Sequence, residues 1–183
     1  MSWERFAGDK RNQVRDELKL DAAYHEAGHA VVGLLLGWRI EKAFIGNPWK
    51  DHVVFCEDDG SIANTDGLRT LAMVKLAGPL ARERFRGAWS GWHSAKDLQQ
   101  ACHDAALIVL KDYGWWQRLL YWRRLEQTES ELIAQLVTDT KCLIRLHWLA
   151  ITEIAEYLFE HKQACGAVIG DIVFRTLMRS DCP

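Results

Sequence analysis

With 183 residues, the chain is long enough to bury one sizeable core, and its 49% hydrophobic content supplies the material for it. Three prolines and no low-complexity tract argue against a disordered chain. A net charge of -2, with both signs spread along the sequence, removes the general electrostatic motive for nucleic-acid binding.

The N-terminal stretch Met1-Ser2-Trp3-Glu4-Arg5-Phe6 is charged and lacks the apolar centre of a signal peptide. Helical periodicity then dominates. The first long helix is predicted to start near Lys10, or at a cap on Asp21, and to run to about Leu36 with Gly37 as its stop. Gly28 inside it costs about 1 kcal/mol relative to alanine. Close approach of a neighbouring helix is the expected compensation. The longest apolar run, Ala30–Trp38, is about half of a membrane span, so no span is expected.

Arg39–Ile45 and Asp51–Cys56 read as two short strands joined by a loop at Gly46–Lys50. A second helix is predicted over Thr65–Ala77, capped by Asn64 or Thr65. Gly78-Pro79 should interrupt it, and Leu80–Phe85 should resume as a short helix before a loop at Gly87–Trp92. A third helix runs from Ser94 to about Asp112 or Tyr113, with Gly114 as its stop. Leu98, Cys102, Ala105 and Val109 form its apolar stripe. Trp115–Tyr121 and Thr128–His161 are further helical patterns. In the second of these, Leu132, Leu136, Leu143, Leu146, Ala150, Ile154 and Leu158 recur at spacings of three, four and seven. Gly166–Gly170 is predicted to break the chain ahead of a last helix over Ile172–Met178. The expected fold is mainly α with a small β-hairpin or sheet. It forms one domain over 1–183, with a core in 10–115 and a helical part in 115–183.

Five cysteines stand at 56, 102, 142, 165 and 182. The count is odd and no C-x-x-C pair occurs, which does not suit a disulfide framework. Cys102 and Cys142 fall in helical patterns and read as small core residues. A reducing cytoplasm is the simplest compartment.

The chemistry concentrates in His25-Glu26-Ala27-Gly28-His29, an H-E-x-x-H match. In a helix, positions i and i+4 share a face, so both imidazoles can bind one zinc ion. Glu26 can then act as general base toward water. The bland alternative is two helical histidines on a partly buried face. Against it, buried polar side chains need partners, and a metal would serve both rings. A catalytic zinc takes three protein ligands. The downstream candidates are His52, His93, Asp97, His103, Asp104, His147 and His161. Asp97 has the best local setting, in the first turn of a helix and at the edge of its apolar stripe. Ser94-Ala95-Lys96-Asp97 equally fits a capping box, and spacing alone does not decide between the two.

Three segments, in order, resemble the peptidase domain of the FtsH family of ATP-dependent zinc proteases. Tyr24–Gly33 is similar to its zinc helix. Leu76–Gly87 is similar to the helix after its hairpin. Ser94–Ala101 is similar to the segment whose aspartate is the family's third zinc ligand. The resemblance covers most of residues 20–115 and, loosely, the tail Leu146–Phe174. It implies an FtsH-peptidase-like helical zincin domain with His25, His29 and Asp97 on zinc and Glu26 catalytic. No Gly-x-x-x-x-Gly-Lys-Ser/Thr phosphate loop is present. Pro79 stands where the family has a helix former, and Lys96 replaces its usual asparagine.

The expected function is therefore zinc-dependent hydrolysis of peptides or unfolded protein segments, independent of ATP by itself. The hairpin reads equally as a structural cover for the core or as an edge strand in which His52, Val53 and Val54 are candidates to hold an extended substrate. The alternative is an FtsH-peptidase-like binding or adaptor module that is weakly active or inactive. The missing ATPase module and the high tryptophan count of nine motivate it. Trp115, Trp116 and Trp122 near Arg118, Arg123 and Arg124 read either as a partner or membrane-surface patch or, more simply, as large aromatics in helix packing with a few surface arginines. Nucleic acid is not expected as a partner, since Glu126, Glu129 and Glu131 follow that patch directly. Homo-oligomer formation stays open, because the family's ring also involves its ATPase. Iron or cobalt would suit the same ligands as zinc.

Overall fold

The computed structural model describes residues 3–46, 52–56, 64–88, 95–112 and 122–180, with side chains from Val14 onward except at 112, 122–126 and 180. The chain is mainly helical, with a small antiparallel sheet. The elements are α1 (Trp3–Leu35), β1 (Ile40–Phe44), β2 (His52–Phe55), α2 (Thr65–Arg86), α3 (Ala95–Asp112), α4 (Trp122–Leu146), α5 (Trp148–His161), β3 (Gln163–Cys165) and α6 (Gly166–Ser180). Among the described residues, no helix is long and apolar enough to cross a membrane.

Helix α1 is the axis of the molecule and packs mainly against α2 and α5. It begins at Trp3, well before the predicted start. Asp21 is not its cap. The Asp21 carboxylate is buried in mid-helix and grips α2 instead, at 2.6 Å from Arg82 Nε and 2.5 Å from Arg86 Nε. Gly37, at φ 88°, ends the helix as expected, with its N–H on the Leu34 carbonyl. The close approach predicted at Gly28 is present. A Cβ there would lie 2.6 Å from both the Ala77 carbonyl oxygen and the Ala81 Cβ of α2.

Helix α2 is continuous, which corrects the predicted interruption at Gly78-Pro79. Proline in a helix interior costs about 3 kcal/mol. Burial outweighs it, because Leu76, Ala77, Leu80 and Ala81 around the proline are all at most 4% exposed. At the start of α2, Asn64 Oδ1 accepts the Gly67 N–H at 2.6 Å, the expected cap. At its end, Gly87 adopts a left-handed conformation and donates to the Glu83 carbonyl.

The two predicted strands form β1 and β2, and a third strand was not foreseen. The order is β2-β1-β3, with Ala43 opposite both Val53 and Ala164. Strand β3 leads into α6, so Gly166–Gly170 opens a helix and does not break one. Gly166 is required there, since a Cβ would collide with the Ile40 carbonyl. The long pattern Thr128–His161 divides at His147 into α4 and α5. Seven residues fall about 20° short of two full turns. The stripe therefore drifts from Leu143 to the fully buried Ile144, and Leu146 ends 65% exposed. Cys142 is also exposed and is not a core residue. The predicted helix at Trp115–Tyr121 and the side chains of the Trp122, Arg123 and Arg124 patch lie outside the described residues, as do His93 and Ser94.

One hydrophobic core includes residues from all six helices, from Ala23 and Ala30 on α1 to Ile169 and Ile172 on α6. Tyr24 closes one side of it. Its ring stacks on Phe85 of α2 at 4.0 Å and on Trp148 of α5 at 5.5 Å.

Candidate metal centre

The i, i+4 spacing on α1 sets His25 and His29 one turn apart, with their Nε2 atoms 3.1 Å from each other. Asp97, in the first turn of α3, brings Oδ2 to 3.1 Å from His25 Nε2 and 3.8 Å from His29 Nε2. Among the described residues, these three form the group of side chains that could hold a metal ion. The edges of the donor triangle can be compared with a tetrahedral ion. Ligand distances of roughly 2.0–2.1 Å require donor atoms about 3.3 Å apart. The observed edges of 3.1, 3.1 and 3.8 Å bracket that value.

The chemistry of the donors supports the fit. His29 Nδ1 lies 2.7 Å from the Val74 carbonyl oxygen, which can only accept, so Nδ1 carries the proton. In the neutral ring, His29 Nε2 is then a lone pair facing another imidazole nitrogen and a carboxylate. Three electron-rich atoms this close need a cation among them, either a proton or a metal ion. A backbone acceptor behind a ligand histidine also fixes the ring plane. His25 lacks such support: its Nδ1 is buried without a hydrogen-bond partner among the described residues.

Burial, charge and hydrogen bonding act differently on the three groups. Burial pushes the His25 pKa below 6.5, with Asp97 only partly opposing it. Burial acts in the same sense on His29. There it is outweighed by Asp97, the negative charge of Glu26 and the Val74 carbonyl, so the His29 pKa rises above 6.5. Burial would raise the Asp97 pKa. The two imidazoles outweigh it and hold the carboxyl well below the usual carboxylate range. Asp97 thus stays ionised at any ordinary pH.

Glu26 is 4% exposed, and its negative charge acts on His29. The other candidates are placed elsewhere. His52 is exposed on β2 and meets the Phe44 ring edge-on at 4.1 Å. Val53, next to it, packs against the hydrophobic core, and Val54 is half-buried. Strand β2 comes near α1 one turn beyond His29, where the Phe55 ring fills the space a Cβ on Gly33 would take. His103 is exposed, His147 sits at the α4–α5 junction and His161 stacks on Tyr157. Asp104 is buried but pairs with Lys75.

Two contributors escaped the sequence reading. Val74 acts through its backbone, which no side-chain motif reveals. Gly78 leaves room for the His29 ring, since a Cβ there would overlap the imidazole. Its signal was present in the sequence: a glycine inside an apolar helical run can mark close approach as well as a break, as Gly28 does. No protein-family model and no curated protein matches the sequence.

Proposed function

We propose that the protein is a zinc-dependent metallopeptidase, similar to the FtsH-family peptidase domain, that hydrolyses peptide bonds in peptides or unfolded segments. The observation that carries this reading is the donor triangle of His25, His29 and Asp97 with Glu26 next in sequence to its first member. His25, His29 and Asp97 are the residues that would hold the ion. Zinc supplies Lewis acidity when bound, making water a nucleophile near neutral pH and favouring negative charge on a carbonyl oxygen.

The chain's own groups do the rest. Glu26 accepts a proton from the attacking water and returns it to the leaving amine. Val74 keeps the His29 ring in the tautomer that presents Nε2. Strand β2 lies at one edge of the sheet among the described residues, and an extended peptide held alongside Val53 and Val54 is the proposed binding mode. Peptides and loose protein segments, which already expose backbone, are the matching substrates, and the cytoplasm is the proposed setting.

Glu26→Gln tests the assignment. Zinc content should match the wild type, while cleavage of an unfolded protein substrate falls by about 10²–10⁴-fold. Undiminished cleavage would refute the role of Glu26. A wild-type protein that holds zinc but cleaves no unfolded substrate would leave the binding or adaptor module as the better reading.

A further inference from the structure

Neighbouring residues of α2 reach in two directions. The Val74 carbonyl accepts from His29 on α1 at 2.7 Å. The Lys75 ammonium donates to Asp104 Oδ2 on α3, also at 2.7 Å. The Asp104 side chain is 6% exposed and that of Lys75 is 21%. Breaking a pair this far from solvent leaves an uncompensated charge. One turn of α2 thus contacts His29 of the candidate metal centre on one side and Asp104 of α3 on the other.

Asp104 stands seven residues after Asp97 on the same helix. Two turns separate them, about 10 Å along the axis, and they share a face within about 20°. Between them Ala101 is buried, and Ala105 and Ile108 continue the buried face. Small and aliphatic side chains of this kind hold α3 on α2 but specify little about how it slides or rolls. A directional ion pair specifies both. We propose that Lys75 and Asp104 are positioning residues for the metal centre: their ion pair sets the axial and rotational register of α3, and through it the reach of Asp97 to His25 and His29. The inference rests on the reading of His25, His29 and Asp97 as metal ligands.

Cobalt(II) is the probe, because its visible absorption reports ligand number and geometry. Lys75→Met and Asp104→Asn should each weaken cobalt binding by about 10-fold or more, within the range for outer partners of metal ligands. Each should also shift or weaken the visible band. Exchanging the charges, with Lys75→Asp and Asp104→Lys together, should restore most of the affinity and the band. Circular dichroism monitors folding throughout. Single variants with wild-type affinity and spectrum would overturn the proposal. So would single variants that only melt earlier with the band unmoved, or an exchanged pair no better than either single variant. A wild-type protein that binds no cobalt would fail at the metal centre itself, which separates that failure from failure of the pair.

Discussion

Gly78 and His29 compete for the same volume: a methyl group on Gly78 would lie within 2.7 Å of two ring carbons of the imidazole and closer still to Nε2. The contact falls on the nitrogen that faces His25 and Asp97. Gly78→Ala should therefore displace the ring and lower zinc affinity by about 10–100-fold. Helicity should not suffer, because alanine is the better helix former by about 1 kcal/mol. Competition with a chromogenic chelator measures the loss. An unchanged affinity would mean that the imidazole can yield without leaving the site.

Asp97→Asn removes the charge that both histidines face. Zinc affinity should fall by at least about 10-fold, since a neutral amide oxygen replaces a carboxylate ligand. A second effect belongs to the metal-free protein. The pKa of His29 is raised against burial chiefly by Asp97. Without that carboxylate the burial remains, so the His29 pKa should drop. Proton NMR titration of the imidazole signals in the presence of chelator follows it, and an unmoved His29 would show that Asp97 does not act on the ring.

Acidification should strip the metal, and His29 sets the range. On lowering the pH it is the first ligand to protonate, because its pKa lies above 6.5 and that of His25 below. Below the His29 value each ion displaces one proton, and apparent affinity falls about tenfold per pH unit. The metal-free protein has the opposite dependence near neutrality. A raised His29 pKa contributes stability that is complete below 6.5 and is lost as the pH rises through the folded value. A depressed His25 pKa contributes stability that is lost as the pH falls below 6.5. Asp97, also depressed, loses its contribution only in stronger acid. Metal-free stability should thus peak near pH 6.5, while the zinc increment grows toward higher pH. Urea midpoints with and without chelator, over roughly pH 5–9, check both; parallel profiles would contradict the assignment.

Asp21 carries a different kind of prediction. Its carboxylate meets the buried Arg82 and the more exposed Arg86. Asp21→Asn would leave the Arg82 charge buried without its counter-ion, at a cost of about 3–5 kcal/mol. Most of that cost concerns Arg82, as Arg86 is 37% exposed and can turn to water. Asp21→Asn combined with Arg82→Met should recover much of the loss. Denaturant unfolding of the single and double variants decides, and equal destabilisation of the two would show that the charge is not the cause.

What could be read from the sequence follows the range of the interactions involved. The helices with strong periodicity, the Asn64 cap, the Gly37 stop and the first two strands depend on local pattern, and they were legible. Asp21 illustrates the limit. An aspartate ahead of an apolar run has the signature of a cap, and only the approach of Arg82 from a distant helix turns it into a tertiary ion pair. Pro79 illustrates it again, because the burial that carries α2 through the proline belongs to the surrounding core. Strand β3 was illegible for the same reason: three residues have no periodicity, and their strand character comes from β1. At the centre, His25 and His29 were given by helical spacing. Asp97 was not, since its proximity to them depends on how α3 lies on α2.

His29 and Asp97 stand 68 positions apart in the chain. An ion shared between them would work as a removable cross-link, closing a long loop in the way a disulfide does but with an affinity set by supply and acidity. The Asp21–Arg82 clamp and the aromatic stack on Tyr24 hold α1, α2 and α5 together without any help from that link. Loss of the ion would therefore loosen the beginning of α3 and spare the scaffold. The order of that one segment would then follow the metal supply of its surroundings, while the rest of the fold stood unchanged.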